Sequence, residues 1–314
     1  MVREAWGKSA EVVMRKAVIT AAGLGTRLLS VTKAQPKEML PVFARGKRGG
    51  LCMKPIVQLV FEDLYQVGFR DFCFIVGRGQ RTLQDHFTPD SSFVLMLDNR
   101  GKNGPAEELR TFYQMIEDSN IVWLSQPEPR GFGDAVNRAK EFVSGEPFVV
   151  HAGDSCFISR NLDHLRRLLR DSELMKADAT FLVQQVDDPR QYGVVEPVAE
   201  DGGTFHVKSV VEKPESPTSK LAIMPVYTFQ RAIFDALGST PPGYGGELQL
   251  TDAIQTMINL GLRVCGIDIN SHAVRLDVGS PESYWQAQLL SYRHSVAEWS
   301  ATASEGKLMA VATK

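Results

Sequence analysis

The stretch Ala21-Ala-Gly-Leu-Gly-Thr-Arg27 joins two glycines and a cation directly to the end of an apolar run, Lys16 to Thr20. Gly23 and Gly25 let backbone approach a ligand closely, and amides at a strand-to-helix turn attract anions. Arg27, Lys33 and Lys37 add mobile positive charge, the last of them inside Pro36-Lys-Glu-Met-Leu-Pro41. Such a loop suits phosphate; the plainer alternative is a glycine turn beside solvated lysines. Two familiar phosphate motifs are excluded. Leu28 occupies the third glycine position of a dinucleotide fingerprint, and the chain has no Gly-x-x-x-x-Gly-Lys-Ser/Thr run.

Gly23-Leu-Gly-Thr-Arg27 followed by Pro36-Lys-Glu-Met-Leu-Pro41 resembles the signature of the sugar nucleotidyltransferases, most closely their UTP-glucose-1-phosphate uridylyltransferase branch. Further segments agree in the same order between Ala17 and about Ala287. They are Gln126-Pro-Glu-Pro-Arg-Gly131, Gly153-Asp154, Tyr192-Gly-Val, Glu212-Lys-Pro214, Gly246-Glu-Leu-Gln-Leu-Thr-Asp252 and Asp277-Val-Gly279. Each is weak alone, and their shared order is specific.

The resemblance implies in-line attack of a sugar phosphate oxygen on the α-phosphorus of a nucleoside triphosphate, with pyrophosphate leaving. An anionic nucleophile needs no protein base, so positioning and charge neutralisation carry such chemistry. By the same resemblance Arg27, Lys37 and Asp154 are the expected catalytic residues, Arg27 on the pyrophosphate and Lys37 on the reacting phosphates. Ala22, Gly23, Gly25 and Thr26 are expected at the nucleotide, with Gln126 facing the base and Gly131 letting backbone approach the same ring. Gly193, Glu212, Lys213 and Glu247 are expected at the sugar phosphate. The lysine takes the phosphate and the carboxylates accept hydrogen bonds from sugar hydroxyls.

Asp154 and Asp277 each follow an apolar strand, Phe148 to His151 and Ala273 to Leu276. Carboxylates at neighbouring strand ends could share one hard cation, so Mg2+ is the expected cofactor. Read without the resemblance, Asp154 is a turn residue after Gly153, and Asp277 a turn or helix-cap residue before Gly279. The six histidines form no close pair or H-E-x-x-H motif that would compete for a metal.

The chain departs from the family pattern in places. Ser30 stands where a proline is usual, His151-Ala152 replaces Leu-Pro, and Pro225-Val226 replaces a Gly-Arg pair near the sugar. Residues 44 to 53, rich in Gly, Lys and Arg, look inserted ahead of Lys54-Pro55, as an active-site flap or an interface loop. Glucose 1-phosphate and UTP are the expected substrates. The alternatives are a dTTP-dependent thymidylyltransferase and a catalytically silent nucleotide-binding regulatory homologue.

These residues need a scaffold. Short β-rich runs, Ala17 to Thr20, Phe72 to Val76, Ile121 to Leu124, Phe148 to His151 and Thr180 to Val183, alternate with helical patterns such as Pro55 to Val67. That alternation reads as an α/β fold, a Rossmann-like, mainly parallel sheet flanked by helices. The resemblance makes it the nucleotidyltransferase, glycosyltransferase-A-like form. From Tyr192 the texture turns to short strands, expected to form an antiparallel-rich sugar-binding lobe. The expected organisation is one domain over residues 1–299, with a nucleotide half at about 16–190, a sugar lobe at about 191–280 and a flexible tail at 300–314.

Bulk properties narrow the partners. The 314 residues carry a formal net charge of -2, which offers no general field for a polyanion, so no nucleic acid is expected. Four scattered cysteines make neither a disulfide framework nor a zinc site, and residues 1–16 read as neither signal peptide nor membrane span. The chain is therefore expected in the cytoplasm without a membrane partner, as a homo-oligomer acting on small-molecule substrates.

Overall fold

The computed structural model describes residues 14–77, 81–198, 203–270 and 272–296, so the readings of the opening segment up to residue 13 and of the tail from Ser300 fall outside it. Thirteen strands lie among the described residues. The first half carries β1 (Lys16–Ala21), β2 (Pro41–Arg45), β3 (Leu51–Pro55), β4 (Asp71–Val76), β5 (Asn120–Ser125), β6 (Phe148–Ala152), β7 (Ser155–Ser159) and β8 (Ala179–Gln185). The second carries β9 (Gly193–Pro197), β10 (Thr204–Glu212), β11 (Leu221–Phe229), β12 (Val264–Asp268) and β13 (Ala273–Asp277). No helix among the described residues is long and apolar enough to cross a membrane.

One sheet takes nine of these strands in the order β5-β4-β1-β6-β11-β8-β12-β10-β9. Strand β1 shows why it sits near the middle. Its alternate residues Ala17, Ile19 and Ala21 join the core built with helix Ile56–Gln66, while Val18 faces the opposite core with Phe148 and Ile254. Both faces are thus covered, as parallel strands require. Burying each large side chain of this kind contributes about 1.5–3 kcal/mol.

Strands β5, β4, β1 and β6 run parallel, with Ala21 level with Val76, Val76 with Ser125, and Thr20 with Ala152. The chain winds from β1 outward to β4 and β5, then returns to place β6 on the other side of β1. Such a reversal opens a crevice at the carboxyl ends of the strands, where ligands of open α/β sheets bind. The loops leaving β1, β4, β5 and β6 at that rim begin with Ala22, Gly77, Gln126 and Gly153.

The antiparallel strands expected after Tyr192 are present, and they extend this same sheet. Strand β11 enters between β6 and β8, antiparallel to both. Eight of its nine residues are buried, so the strand is apolar on both faces and needs a central place. Parallel pairing returns only between β8 and β12.

Two small ribbons complete the frame. β7 pairs antiparallel with β13, setting Ser155 opposite Asp277. The residues that look inserted form the tip and inner ends of a β2–β3 hairpin. That hairpin lies on its own chain: the Phe43 N–H donates to Ser291 Oγ at 3.2 Å, Arg45 Nε donates to the Ser295 carbonyl at 2.9 Å, and Arg48 pairs with Glu107 at 2.6 Å.

Candidate active site

After β1 the backbone turns left-handed at Gly25, with φ 61°, where an added Cβ would lie 2.9 Å from Thr32 Cγ2. Thr32 Oγ1 donates to the carbonyls of Gly25 and Leu28 at 2.8 and 2.9 Å, fixing the loop from its far side. A Cβ on Gly23 would meet Lys37 Cε and Nζ at 3.3 Å, so the missing side chain is what lets the Lys37 ammonium lie over the loop. Ala22 is buried, Thr26 opens a short 3-10 turn, and Arg27 is exposed with no hydrogen bond or ion pair among the described residues. Its guanidinium nevertheless reaches the other side of the crevice. A Cβ on Gly279 would lie 3.0 Å from Arg27 Nη2.

Lys37 Nζ donates to Asp154 Oδ2 at 2.5 Å. Burial opposes the charge on Lys37, but the carboxylates of Asp154 and Glu38 outweigh it and raise its pKa. Asp154 shows the converse: burial pushes its pKa up, Lys37 pulls it down further, and the carboxyl ends below its ordinary range. Glu38, next to Lys37 in the chain, is 1% exposed, and its Oε2 has no partner among the described residues. Burial raises it to about 7, against the pull of Lys37.

The two aspartates come together, though not on neighbouring strands of the main sheet. Asp154 follows β6, whereas Asp277 ends β13, and the β7–β13 ribbon joins them. Ser155 Oγ lies 3.3 Å from both Asp154 Oδ1 and Asp277 Oδ2, and the Val278 N–H donates to the Asp154 carbonyl at 3.2 Å. Asp277 Oδ1 also accepts from the Gly279 N–H at 2.8 Å and Ser283 Oγ at 2.9 Å, and Oδ2 from Arg275 Nη2. Asp277 is therefore a turn-forming residue as well as a neighbour of Asp154.

The crevice holds a cleft of about 150 Å³ walled by Gly23, Lys33, Gly77, Gln126 and Pro129, where the nucleotide is expected. The Gln126 amide has one end committed: Nε2 donates to Asp134 Oδ2 at 2.8 Å and to the Gly131 carbonyl at 3.1 Å. Oε1 is the end of the amide with no hydrogen bond among the described residues. Gly131, with φ 107°, packs on the Glu247–Leu248 segment, since a Cβ there would lie 2.5 Å from the Leu248 carbonyl oxygen and 2.9 Å from Glu247 Cβ.

Among the residues expected at the sugar phosphate, Gly193 leaves room for Thr251, whose Oγ1 would be 2.8 Å from an added Cβ and which donates to Glu212 Oε2 at 2.7 Å. Lys213 adopts φ 43°, and its Nζ lies 3.5 Å from Glu212 Oε1. Glu247 lies on the turn following Tyr244–Gly246, near Gln249. The departure at Pro225-Val226 falls in β11, where Val226 is fully buried and paired with His151, so it alters the core beneath the site. His151 itself is buried, with its pKa down to about 4, and is neutral near pH 7.

The nucleotidyl transferase family model matches residues 16–293. The chain belongs to that family. This nucleotidyl transferase is 36% identical to the UTP-glucose-1-phosphate uridylyltransferases of Staphylococcus epidermidis and Bacillus subtilis, over 85% of its own length and 88% and 87% of theirs. Among solved structures it is similar to a UDP-glucose pyrophosphorylase complexed with UDP-glucose, at TM-score 0.76 and 28% identity, over 90% of this chain and 99% of that one. It is also similar to a UTP-bound enzyme of that kind from Acinetobacter baumannii, at TM-score 0.76 and 26% identity, over 96% of this chain and 100% of that one.

The structure adds residues to the nucleotidyl transferase site that the motifs did not single out. Glu38 was in view inside Pro36-Lys-Glu-Met-Leu-Pro41, and its burial is the new information. Arg275 lies two residues before Asp277 on one strand, hence on the same face, a spacing that could have flagged it. Ser155 and Thr251 carry no such signal, because only tertiary packing sets them against Asp277 and Glu212.

Proposed function

We propose that this nucleotidyl transferase joins UTP to glucose 1-phosphate, releasing pyrophosphate and giving UDP-glucose. The observation that carries the reading is that Asp154 and Asp277 share the Ser155 hydroxyl while Lys37 pairs with Asp154, at the switch point of the sheet, in a chain whose relatives bear that name.

The sugar phosphate oxygen forms a bond to the α-phosphorus as the bond to the bridging oxygen breaks, and that oxygen keeps the electron pair as pyrophosphate departs. Arg27, exposed on the rim with no ion pair among the described residues, is suited to the leaving pyrophosphate. Lys37 reaches the reacting phosphates across Gly23. Gln126 Oε1 accepts from the N3–H of uracil; cytosine presents an acceptor there and is disfavoured. Lys213 takes the phosphate of the sugar, while Glu212 and Glu247 accept from its hydroxyls.

The donor set fits magnesium. Asp154 and Asp277 offer hard oxygens on either side of Ser155, and no group of three or more His, Cys, Asp or Glu side chains among the described residues forms a dedicated cage. Mg2+ keeps several waters and takes one or two carboxylates with substrate phosphates. When bound, it would draw off negative charge from the phosphates. The reading includes a homo-oligomer in the cytoplasm, the first part of which light scattering tests.

Pyrophosphate release with glucose 1-phosphate and each of UTP, dTTP, CTP, GTP and ATP is the decisive assay. Preferred use of UTP is expected. Preference for dTTP would move the protein to the thymidylyl branch, since thymine presents the same N3–H, and no release with any pair would leave a nucleotide-binding homologue.

A further inference from the structure

We propose that Tyr244 is a positioning residue for the sugar phosphate, holding the Lys213 ammonium in place through the face of its ring. Lys213 Nζ lies 4.8 Å from the Tyr244 ring centroid, well within the range of a cation–π contact. The lysine is thus held from two directions, by the ring and by Glu212 Oε1 at 3.5 Å.

The backbone on both sides is arranged to produce this contact. Lys213 is a non-glycine residue with φ 43°, a conformation that costs energy and persists only where neighbours impose it. Here its N–H donates to the Tyr192 carbonyl at 2.9 Å. Opposite, Tyr244 opens a turn that Gly245 and Gly246 complete with φ 69° and 73°. Gln249 Nε2 holds the Tyr244 carbonyl at 3.0 Å, and the Gly243 N–H donates to the Glu247 carbonyl at 2.8 Å. Asp252 packs beneath, its Oδ2 2.0 Å from where a Cβ on Gly243 would be.

Tyr244 has no packing reason to be aromatic. The residue is 57% exposed, and its hydroxyl makes no hydrogen bond among the described residues. What the ring does is lie over the lysine. An ammonium on a flexible four-carbon stem loses much rotational freedom on gripping a phosphate. A ring that already holds it lowers that cost and leaves the nucleotide side untouched.

The inference rests on the assignment of Lys213 to the sugar phosphate. The experiment measures KM for glucose 1-phosphate and for UTP in pyrophosphate release, for the unaltered protein, Tyr244→Phe, Tyr244→Leu, Lys213→Ala and the Lys213→Ala/Tyr244→Leu pair. Tyr244→Leu should raise KM for glucose 1-phosphate about three- to fivefold, as expected for a partly exposed cation–π contact, with KM for UTP unchanged. Tyr244→Phe should restore it, because the ring and not the hydroxyl acts. In the Lys213→Ala background the Tyr244→Leu effect should vanish, whereas a merely structural role would add to it. Equal KM values in the unaltered protein and Tyr244→Leu, or full additivity, would overturn the proposal while leaving the reaction standing. Absence of turnover by the unaltered protein would overturn the functional reading, and this proposal with it.

Discussion

Lys37 Nζ and Asp154 Oδ2 lie 2.5 Å apart, so the cation assigned to the reacting phosphates and the carboxylate assigned to the metal neutralise each other. The pairing couples the two assignments. A phosphate that drew the lysine away would free an Asp154 oxygen, the atom that would help hold a divalent ion.

Turnover should require Mg2+ or Mn2+, and Asp154→Asn or Asp277→Asn should each lower kcat about a hundredfold or more at saturating substrates. Asp252→Asn, which touches neither carboxylate, should cost far less. Full activity in excess chelator would end the metal assignment.

Arg27→Ala should cut kcat by about 3 kcal/mol in barrier terms, a hundredfold, with the preference of UTP over CTP intact. Gln126→Ala should erode that preference with a smaller effect on the chemical step. Comparing kcat/KM for the two nucleotides in both variants decides it, and the opposite pattern would dissolve the division between phosphate loop and base pocket.

Gly131→Ala should weaken both substrates together. The added methyl would meet the Leu248 carbonyl at 2.5 Å, in a residue whose φ of 107° already disfavours a side chain. Because Leu248 N–H donates to Arg130 and Gly133 N–H donates to Leu248, relief of the clash moves the base loop and the sugar loop at once. A rise of KM for UTP alone would show that the two loops are not coupled.

Stability should fall with rising pH through Asp63, which burial, then the charge of Glu62, raise from 3.8 to about 8. The folded chain binds that proton more tightly than the unfolded one. The stabilisation is therefore complete below about pH 4, declines as pH rises, and is gone above about pH 8. Asp63→Asn should raise Tm relative to the unaltered protein across that window, reaching a plateau of several degrees near its upper end, on the order of 1 kcal/mol or more. Thermal melts between pH 5 and 9 test it, and a Tm difference that stays constant over the range would contradict it.

Much of the nucleotide side was legible because its parts are contiguous. A strand, a glycine turn and its cations lie in one stretch from Lys16 to Pro41, Gln126 directly follows a strand with a clear apolar run, and Asp154 stands two residues past another. The meeting of Asp154 with Asp277 was legible only in outline. Their link passes through β7 and β13, a pairing that joins residues far apart in the chain, and apolar spacing carries no information about which strands pair. Tyr244 was silent for the same reason, since nothing local marks it as lying over Lys213. Nothing local to Gln126 shows that Asp134, a helix residue eight positions on, takes one end of its amide.

Strand β11 has a further consequence, for the order of assembly. Residues 221–229 supply the partner edge for both β6 and β8, although β6 ends at Ala152 and β8 at Gln185. As the chain leaves the ribosome, both strands keep the edge that faces β11 unpaired until that stretch is made, and such edges recruit other chains. Fragments ending short of Leu221 should aggregate, and during synthesis β6 and β8 must wait for chaperones or for their own late partner.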